Sequence, residues 1–510
     1  MAAPERGQPG TWQHLALWRE NGDMHLDATL AGLPSNDLMA AAMVAGLIWP
    51  GQLHHAPDAS RWYVWNGKCH QPDDSSEIDR RVQLVARWYG ELLSHAHQQL
   101  TAEVAASMPG ADAATVDRAV KMAWSPWEPA AKYGMGLHRS AGLTALRMVL
   151  AGRCGMSESE LEDRWPGHLN VDNGILDMAT GQVWPHDPRA MMTYALPIAY
   201  NPAAQCPQYS SLLLRACGGN QQVAAFLVKL LGYSLHGGNP HQVIAFLRGP
   251  TASGKSALLN VAVKVMGELA HESSTQLITV QRFGRNARVE NSIRGRRLVA
   301  ITEASGHLIL DEAQLKRLTG EKVVAIDRHY SKEQLRSKVV WLILLATNEM
   351  ASLANPDEAL QRRMLVVPMG ASLPEWERML DIDDKIAAEE AEGVLALLVW
   401  GYQQVMAEGL QPPPEVIAAS AEYAAEQNTV DSFVKDCCII RGASVNGQGP
   451  ARAGMHRVWQ AYEWYTQRSG ARLPKMEFKQ QFSRYPGVQP VENRRWYEGV
   501  ELQPWVESEL

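Results

Sequence analysis

Eight residues in the middle of the chain, 249–256, have the types and spacing that bind phosphate groups. They read Gly-Pro-Thr-Ala-Ser-Gly-Lys-Ser and fit the pattern Gly-x-x-x-x-Gly-Lys-Ser/Thr. An apolar β-type segment, 242–247, precedes them, and 257–263 reads as the start of a helix. In such a strand–loop–helix unit, backbone N–H groups point at phosphate oxygens. The flanking segments favour a nucleoside triphosphate site over a chance glycine turn.

The lysine and the serine of this P-loop have separate expected roles. Lys255 is expected to neutralise phosphate charge, and Ser256 is expected to hold Mg²⁺. ATP and Mg²⁺ are therefore the expected cofactors. The residues expected to line the ATP site are Gly249, Pro250, Thr251, Ala252, Ser253, Gly254, Lys255, Ser256 and Ala257.

A second apolar run, 298–301, leads to Glu303. A carboxylate at the C-terminal edge of such a strand can polarise the water that attacks a γ-phosphate. An ordinary strand-end glutamate is the alternative, and the position after the P-loop favours catalysis. Thr302 stands where many P-loop enzymes have a Mg²⁺-binding aspartate. The metal is therefore expected to depend on Ser256, water and phosphate oxygens.

A third apolar run, 339–346, is followed by Asn348, whose amide could hydrogen-bond the γ-phosphate or the attacking water. Arg362 and Arg363 come next, and a paired arginine there suits a finger that enters a neighbouring subunit's site. In isolation, a surface arginine pair would be the simpler reading. The candidate catalytic residues are Lys255, Glu303, Asn348, Arg362 and Arg363.

Residues 315–334, between the second and third runs, are the most diagnostic part of the chain. With the P-loop, the Thr-Asn pair and the Arg-Arg pair, they resemble the superfamily-three helicases of the phage, plasmid and poxvirus primase-helicase branch. That branch has a Lys-x-Leu-Thr-Gly-Gly-Asp segment followed by an arginine-bearing hairpin. The resemblance covers nearly all of the chain after about residue 60. The chain departs from it at 320–322, which read Gly-Glu-Lys, and after Asn348, where the common proline is missing.

The resemblance implies a role for each matching residue. Lys255 and Ser256 match the phosphate and Mg²⁺ residues, Glu303 the catalytic acid and Asn348 the sensor. Arg363, with Arg362 beside it, matches the finger that acts in trans. The hairpin 323–339 would enter a central channel and hold single-stranded DNA by its phosphates, a salt-sensitive contact without sequence preference. The DNA-binding candidates are Lys332 near its tip, Arg328, Lys316 and Lys322.

Composition is that of an ordinary globular protein. The 510 residues are 46% hydrophobic and 20% charged, enough for two to four domains. A net charge of −7 argues against a protein that coats nucleic acid, but it permits DNA binding by a few basic loops. The six cysteines show neither zinc-ligand spacing nor a disulfide framework. No signal sequence and no apolar run of about 18 residues is seen, so we expect no membrane contact.

The expected fold class is α/β, with a P-loop, AAA+-type three-layer ATPase core, a mixed α+β N-terminal region and a C-terminal winged-helix-like domain. The expected segments are an N-terminal extension (1–58), an α+β domain of the phage and poxvirus helicase type (59–205), a helical collar (206–240), the ATPase core (241–372), a helical segment (373–429) and the winged-helix-like domain (430–510). The first ~60 residues are too few for a primase catalytic domain.

Two basic regions leave alternatives open. Six arginines with one acid, Glu290, lie between 282 and 297, and they fit a DNA-binding or subunit surface as well as a solvated loop. In the C-terminal unit, basic residues could touch a duplex backbone, or the unit could be a tryptophan-rich packing domain. The basic residues concerned are Lys475, Lys479, Arg484, Arg494 and Arg495.

The sequence thus predicts an ATP-driven replicative helicase that forms a ring, with a hexamer as the expected form, on single-stranded or forked DNA. A separate primase or polymerase is an expected partner, and the bacterial cytoplasm is the expected location if a phage or mobile element encodes the chain. One alternative is a P-loop initiator or DNA-binding switch that does not unwind processively. Another is an ATPase that remodels something other than DNA.

Overall fold

The structure is a computed structural model that describes residues 34–161, 165–281, 286–304, 308–327, 334–349, 351–353, 358–375, 380–427, 429–441, 451–469, 475–491 and 495–509. Within those residues the chain divides into two compact units. The first runs through Trp165 and includes Asn170–Ile175 and Val183–Pro197; the second takes Pro166–Leu169, Leu176–Gln182 and Ile198 onward. This division is coarser than the six expected segments, whose boundaries stay predictions.

The first unit combines a long helix with shorter helices and a small antiparallel sheet. Its elements are α1 (Asp37–Met43), β1 (Leu53–Ala56), β2 (Arg61–Trp65), β3 (His70–Pro72), α2 (Glu77–Ser107), α3 (Ala113–Trp124), α4 (Glu128–Leu137), α5 (Ser140–Arg153) and α6 (Glu158–Leu161). The sequence has helical periodicity from residue 78 to residue 108, which predicts a helix there, and helix α2 confirms it. Because β1 pairs with β2, the boundary expected at residue 58 falls inside this sheet.

Residues 165–199 contain many turn-forming pairs such as Asn173-Gly174, which predicts short strands, and three short strands follow. They are β4 (His168–Val171), β5 (Gly174–Asp177) and β6 (Val183–Trp184), paired in the order β4-β5-β6.

The second unit contains a five-stranded parallel sheet. Its elements up to residue 427 are α7 (Pro207–Ala216), α8 (Gln221–Ser234), β7 (Ile244–Arg248), α9 (Lys255–Met266), β8 (Ala270–Glu272), α10 (Ala287–Ser292), β9 (Leu298–Ala304), β10 (Ile309–Leu310), α11 (Glu312–Gly320), β11 (Val323–Asp327), β12 (Gln334–Lys338), β13 (Leu342–Thr347), β14 (Ser352–Leu353), α12 (Glu358–Gln361), β15 (Met364–Pro368), α13 (Ile382–Glu408) and α14 (Pro414–Gln427). The sheet order is β15-β7-β13-β9-β8. The alternating strands and helices predicted over 242–370 are confirmed.

The apolar runs of the sequence form the centre of this sheet. Every residue of β13 is buried, as expected for a strand covered on both faces. Strand β13 lies between β7 and β9 and pairs in parallel with both. The P-loop strand β7 and the strand that carries Glu303 are therefore separated by one strand, and their carboxyl ends point to the same edge.

Helices α8 and α13 cross at very short range. A Cβ atom on Gly232 of α8 would lie 2.3 Å from the backbone nitrogen of Tyr402, and one on Gly401 of α13 would lie 2.4 Å from the carbonyl oxygen of Val228. Both positions therefore require glycine. Helix α13 also contacts α9, because Lys264 donates to Asp383 and Asp384 in the first turn of α13, at 2.7 Å each.

The C-terminal part has its own aromatic core. Its elements are α15 (Thr429–Cys437), β16 (Cys438–Ile440), β17 (Arg452–Gly454), α16 (Met455–Ser469), α17 (Lys475–Phe482), β18 (Gln489–Val491), β19 (Trp496–Glu498), β20 (Val500–Leu502) and α18 (Pro504–Glu507). The strands form an antiparallel sheet, β17-β19-β18, and a separate pair, β16-β20. Phe433, Trp459, Tyr462 and Phe478 are buried together, so these aromatic residues pack the core.

Candidate nucleotide site and hairpin

The P-loop lies between β7 and α9 and lines a cavity of about 470 Å³. The cavity brings the loop together with the carboxyl ends of the neighbouring strands. Its lining residues are Thr251, Ala252, Ser253, Gly254, Lys255, Ser256, Ala257, Thr302, Ala346 and Asn348. Most of the residues expected to bind ATP thus surround one space, together with the expected sensor.

The Lys255 side chain is buried and is held by four oxygen atoms. Its Nζ donates to the carbonyl oxygens of Gly249 and Pro250, both at 2.7 Å. It also donates to Ser253 Oγ and Asn348 Oδ1, both at 3.1 Å. Burial lowers the pKa of the Lys255 ammonium. The surrounding oxygens compensate for this loss of solvation, and phosphate oxygens are acceptors that could replace them.

Asn348 connects the end of β13 to the P-loop. Its Nδ2 donates to Thr251 Oγ1 at 3.0 Å, while its Oδ1 accepts from Lys255. The amide therefore spans the loop from the strand next to β7. A displacement of the loop, or of a phosphate bound to it, would therefore change the hydrogen bonds of Asn348.

The far side of the cavity is formed by the end of β9. Ser256 Oγ lies 3.5 Å from the carbonyl oxygen of Thr302 and donates to it. The Thr302 hydroxyl donates to the carboxylate of Glu272, the last residue of β8. The structure describes the backbone of Glu303 within β9 but not its side chain. The predicted role of Glu303 stays a prediction.

A second cavity, of about 450 Å³, adjoins the P-loop. It shares Ala252, Gly254 and Ala257 with the first cavity. Its other lining residues are Pro207, Gln208, Ser211, Leu212, Arg215, Leu373 and Ile382. Mostly apolar walls beside a phosphate loop suit the flat ring of a nucleotide base. Sequence reasoning missed this cavity because its walls come from α7 and from the segment before α13, far from the motif.

The two candidate finger arginines have different surroundings. Arg362 is exposed. Arg363 Nη1 donates to the carbonyl oxygen of Lys316 and to Thr319 Oγ1, both at 3.2 Å, at the end of α11. A Cβ on Gly320 would lie 2.2 Å from this Nη1 atom, so any side chain there would displace the guanidinium. Arg363 is thus held by its own chain.

The predicted hairpin is present at its base. Strands β11 and β12 pair antiparallel, from Val323 opposite Lys338 to Asp327 opposite Gln334. Arg328 and Lys332 lie outside the described residues. Lys322 is exposed just before β11, whereas Lys316 is half-buried on α11.

One face of the hairpin is basic. Val324, Ile326 and Ser337 are buried, whereas Arg336 and Lys338 are exposed. The alternation along a strand therefore places both cations on the outer face. Sequence reasoning missed these two residues, although the period of two in β12 could have identified them.

A buried ion pair joins α11 to the hairpin and to α10. Arg317 Nη2 donates to Glu290 Oε1 at 2.6 Å, and Arg317 Nη1 donates to the carbonyl oxygen of Ala325 at 2.9 Å. Gln314 Nε2 also donates to Glu290, at 2.7 Å. Glu290, the one acid of the arginine-rich stretch, is only 5% exposed. Its role in the structure is to anchor Arg317.

The arginine-rich stretch is not a uniform surface. Arg282 and Arg285 lie outside the described residues. Arg297 is fully buried and donates to the carbonyl oxygens of His168 and Leu235. The expectation of a basic surface is therefore wrong for Arg297, which the surrounding fold uses to satisfy buried carbonyls.

Residues 47–218 match the family model described as "D5 N terminal like". Over 229 residues, or 41% of its length, the chain is 23% identical to the protein named "Putative helicase 022R" of Frog virus 3 (isolate Goorha). The match covers 24% of that viral protein. Over part of each chain's length, this chain is thus similar to a viral protein that is named as a helicase.

Solved structures show weaker likeness. The A form apo structure of the NrS-1 C-terminal region matches 46% of this chain and 56% of its own, with a TM-score of 0.37 and 16% identity. Another A form apo structure of that region (305–718) matches 59% and 77%, with a TM-score of 0.34 and 14% identity. None of the described helices is long and apolar enough to cross a bilayer.

Proposed function

We propose that this chain is an ATP-driven DNA helicase that works as a ring. The observation that carries the proposal is the meeting of Lys255, Ser256 and Asn348 with the end of β9 around one cavity. The basic hairpin in the same unit gives ATP turnover a nucleic-acid surface to act on. The partial match to a viral protein named as a helicase supports the same class.

The residues around the cavity divide the chemistry. Lys255 would exchange the carbonyl oxygens of the loop for phosphate oxygens, a charge-assisted contact. Glu303, at the end of β9, would orient and deprotonate the attacking water. Asn348 would hydrogen-bond the γ-phosphate or that water. When the γ-phosphate leaves, the change at Asn348 would reach the P-loop through its hydrogen bond to Thr251. The apolar cavity would receive the base.

The oxygen atoms at the end of β9 fit Mg²⁺. The Ser256 hydroxyl is a hard oxygen donor of the kind that Mg²⁺ prefers, and the carboxylates of β8 and β9 would add negative charge near the metal. Bound there with the nucleotide, Mg²⁺ would neutralise phosphate charge.

Ring formation is proposed because no arginine is found among the described residues that line the P-loop cavity, and Arg215 lines the adjoining apolar cavity instead. An arginine from a neighbouring subunit would supply the missing positive charge. We assign this role to Arg362, since it is exposed and α11 holds the guanidinium of Arg363. This choice revises the expectation that Arg363 is the finger.

DNA would bind along the hairpin. Lys332 stays the proposed contact at the tip, and the outer face of β12 adds Arg336 and Lys338. Single-stranded DNA would be held by its phosphates, so affinity should fall steeply with salt. Among the described residues, the C-terminal part combines four helices, α15 to α18, with a three-stranded antiparallel sheet, β17-β19-β18. We propose that it is a winged-helix-like domain.

The test is ATP hydrolysis and strand displacement by the full chain and by Lys255→Ala. Loss of the ammonium should lower the ATP turnover rate by about 100-fold or more, because it removes a preorganised positive charge. Lys264→Ala is a control on the same helix, because it removes a lysine and its ion pairs with Asp383 and Asp384 but leaves the P-loop unchanged. The proposal fails if Lys255→Ala hydrolyses ATP normally.

The alternatives give different results in the same assay. A helicase displaces a strand from forked DNA in the presence of ATP. An initiator or switch hydrolyses ATP and binds DNA without displacing the strand. An ATPase that remodels another partner shows no stimulation of ATP turnover by DNA.

A further inference from the structure

The carboxyl edge of the sheet carries an acidic residue that the P-loop pattern does not include. Position 302 holds a threonine where an aspartate would be expected to assist the metal. A carboxylate nevertheless reaches this position, because the Thr302 hydroxyl donates to Glu272. Thr302 itself lines the P-loop cavity.

Strand pairing explains how Glu272 comes to lie there. Strand β8 pairs in parallel with β9, with Glu272 opposite Ala300. Residues 300 and 302 face the same side of β9, because side chains alternate along a strand. Glu272 ends β8, so its carboxylate lies at the carboxyl edge, one strand farther from the P-loop than Thr302.

The neighbouring contacts place this pair next to the expected metal residue. The Ser256 hydroxyl donates to the carbonyl oxygen of Thr302. Because the Thr302 hydroxyl donates its proton to Glu272, the lone pairs of its oxygen atom stay available to a hydrogen-bond donor or a metal ion. Glu272 is exposed.

We infer that Glu272 and Thr302 together replace the missing aspartate. Glu272 is a positioning residue: its charge orients the Thr302 hydroxyl and a metal-bound water around the Mg²⁺ that accompanies the nucleotide. This inference rests on the proposed ATP site. In many P-loop enzymes, the carboxylate that assists the metal lies on the same strand as the catalytic acid. Here we assign that task to a carboxylate on the neighbouring strand, β8.

Magnesium chemistry favours such an arrangement. Mg²⁺ gives up its waters reluctantly and is usually held by one or two carboxylates plus phosphate oxygens. Residues that hydrogen-bond metal-bound groups typically change metal affinity by about 10- to 100-fold when they are replaced. A negative charge one hydrogen bond away from the metal can therefore have a measurable effect.

The simpler reading is a hydrogen bond that only ties β8 to β9. Glu272→Gln separates the two readings, because glutamine still accepts a hydrogen bond from Thr302 but carries no charge. Glu268→Gln is the matched control. Glu268 is an exposed glutamate four residues earlier, in the turn before β8.

The experiment measures binding of a fluorescent, non-hydrolysable ATP analogue by the full chain as Mg²⁺ is titrated. Binding of Mn²⁺ is followed in parallel by electron paramagnetic resonance. We expect Glu272→Gln to raise the Mg²⁺ concentration for half-maximal binding by about 10-fold or more. Glu268→Gln should match the wild type. In the double variant Thr302→Asp with Glu272→Gln, the carboxylate moves to β9 and the Mg²⁺ requirement should return toward that of the wild type.

Each result has a clear meaning. The inference is overturned if Glu272→Gln binds the analogue and Mn²⁺ like the wild type. It is also overturned if affinity for the analogue without metal falls as much as affinity with metal, since that outcome indicates a structural role. A wild-type chain that binds no nucleotide with Mg²⁺ would instead overturn the proposed function, and the inference with it.

Discussion

Arg362 and Arg363 are adjacent in the chain but differ in what each can do. Arg363 is tied to the end of α11 by two hydrogen bonds, one of them to the buried hydroxyl of Thr319. Arg362 is exposed. A guanidinium held within its own chain and an arginine exposed to solvent therefore lie side by side.

Stability should distinguish these two arginines. Arg363→Ala should lower the free energy of unfolding by about 1–3 kcal/mol, because it removes charged hydrogen bonds to half-buried acceptors. Arg362→Ala should stay within about 0.5 kcal/mol of the wild type, as is usual for an exposed side chain. Urea unfolding followed by circular dichroism measures both. Equal stability of the two variants would contradict the assignment.

Single residues were predictable from sequence where a motif contains them. The P-loop lysine, its serine and Asn348 lie around one cavity; the P-loop pattern named the first two, and the Thr-Asn pair after the third apolar run named Asn348. Glu272 and the walls of the second cavity were not predictable, because strand pairing and helix packing bring them in from elsewhere. The partner of Arg363 depends on a contact with α11, some 45 residues away in sequence.

At the scale of elements, α11 connects two parts of the unit. Its Arg317 reaches Glu290 of α10 and the carbonyl oxygen of Ala325 in the hairpin, while its last turn holds Arg363. A shift of α11 would therefore move both the base of the hairpin and the loop that carries Arg362. The helix is a candidate route between the neighbour's ATP site and DNA.

The Arg317–Glu290 pair should behave as a coupled unit. Arg317→Met should destabilise the chain by about 3–5 kcal/mol, because it leaves a buried carboxylate without its cation. The double variant Arg317→Met with Glu290→Gln should recover at least about 1 kcal/mol of that loss. Chemical denaturation of the four proteins measures the coupling energy. Additive effects would show that the two side chains act independently.

The same pair should affect how DNA acts on ATP turnover. A milder change, Arg317→Lys, keeps the charge but cannot make both hydrogen bonds in the same geometry. We expect this variant to keep its ATP turnover without DNA and to lose DNA stimulation. Normal stimulation would exclude α11 as the connection.

The strands and helices of the second unit were the most predictable elements. Apolar runs identified β7, β9 and β13 in this unit. Strand β8 was missed because it has only three residues, one of them charged. Its place in the sheet follows from pairing with β9, which no local pattern encodes.

At the scale of the whole molecule, the proposed site is completed by a second copy of the chain. Arg362→Ala should lower ATP turnover by about 1000-fold, as loss of an arginine finger does. Lys255→Ala should also be inactive. When the two variants are co-expressed, mixed rings should recover part of the activity, since one chain supplies the P-loop and the other the arginine.

The mixing experiment has a built-in control. Co-expression of Arg362→Ala with a Lys255→Ala and Arg362→Ala double variant offers no intact arginine and should stay inactive. Recovery in the first mixture alone, measured as ATP turnover per chain, supports completion in trans. Absence of recovery in assembled particles would place the arginine in the same chain as the P-loop it serves.

The position of β13 between β7 and β9 has a consequence for distance. Neighbouring strands lie about 4.8 Å apart, so the P-loop strand and the strand of Glu303 are separated by roughly 10 Å. That gap can hold a phosphate group and a water molecule side by side. The strand between them ends at Thr347, so Asn348, the next residue, lies at the middle of the gap. The order of the strands therefore sets the distance between the P-loop and Glu303, whichever side chains the strands carry.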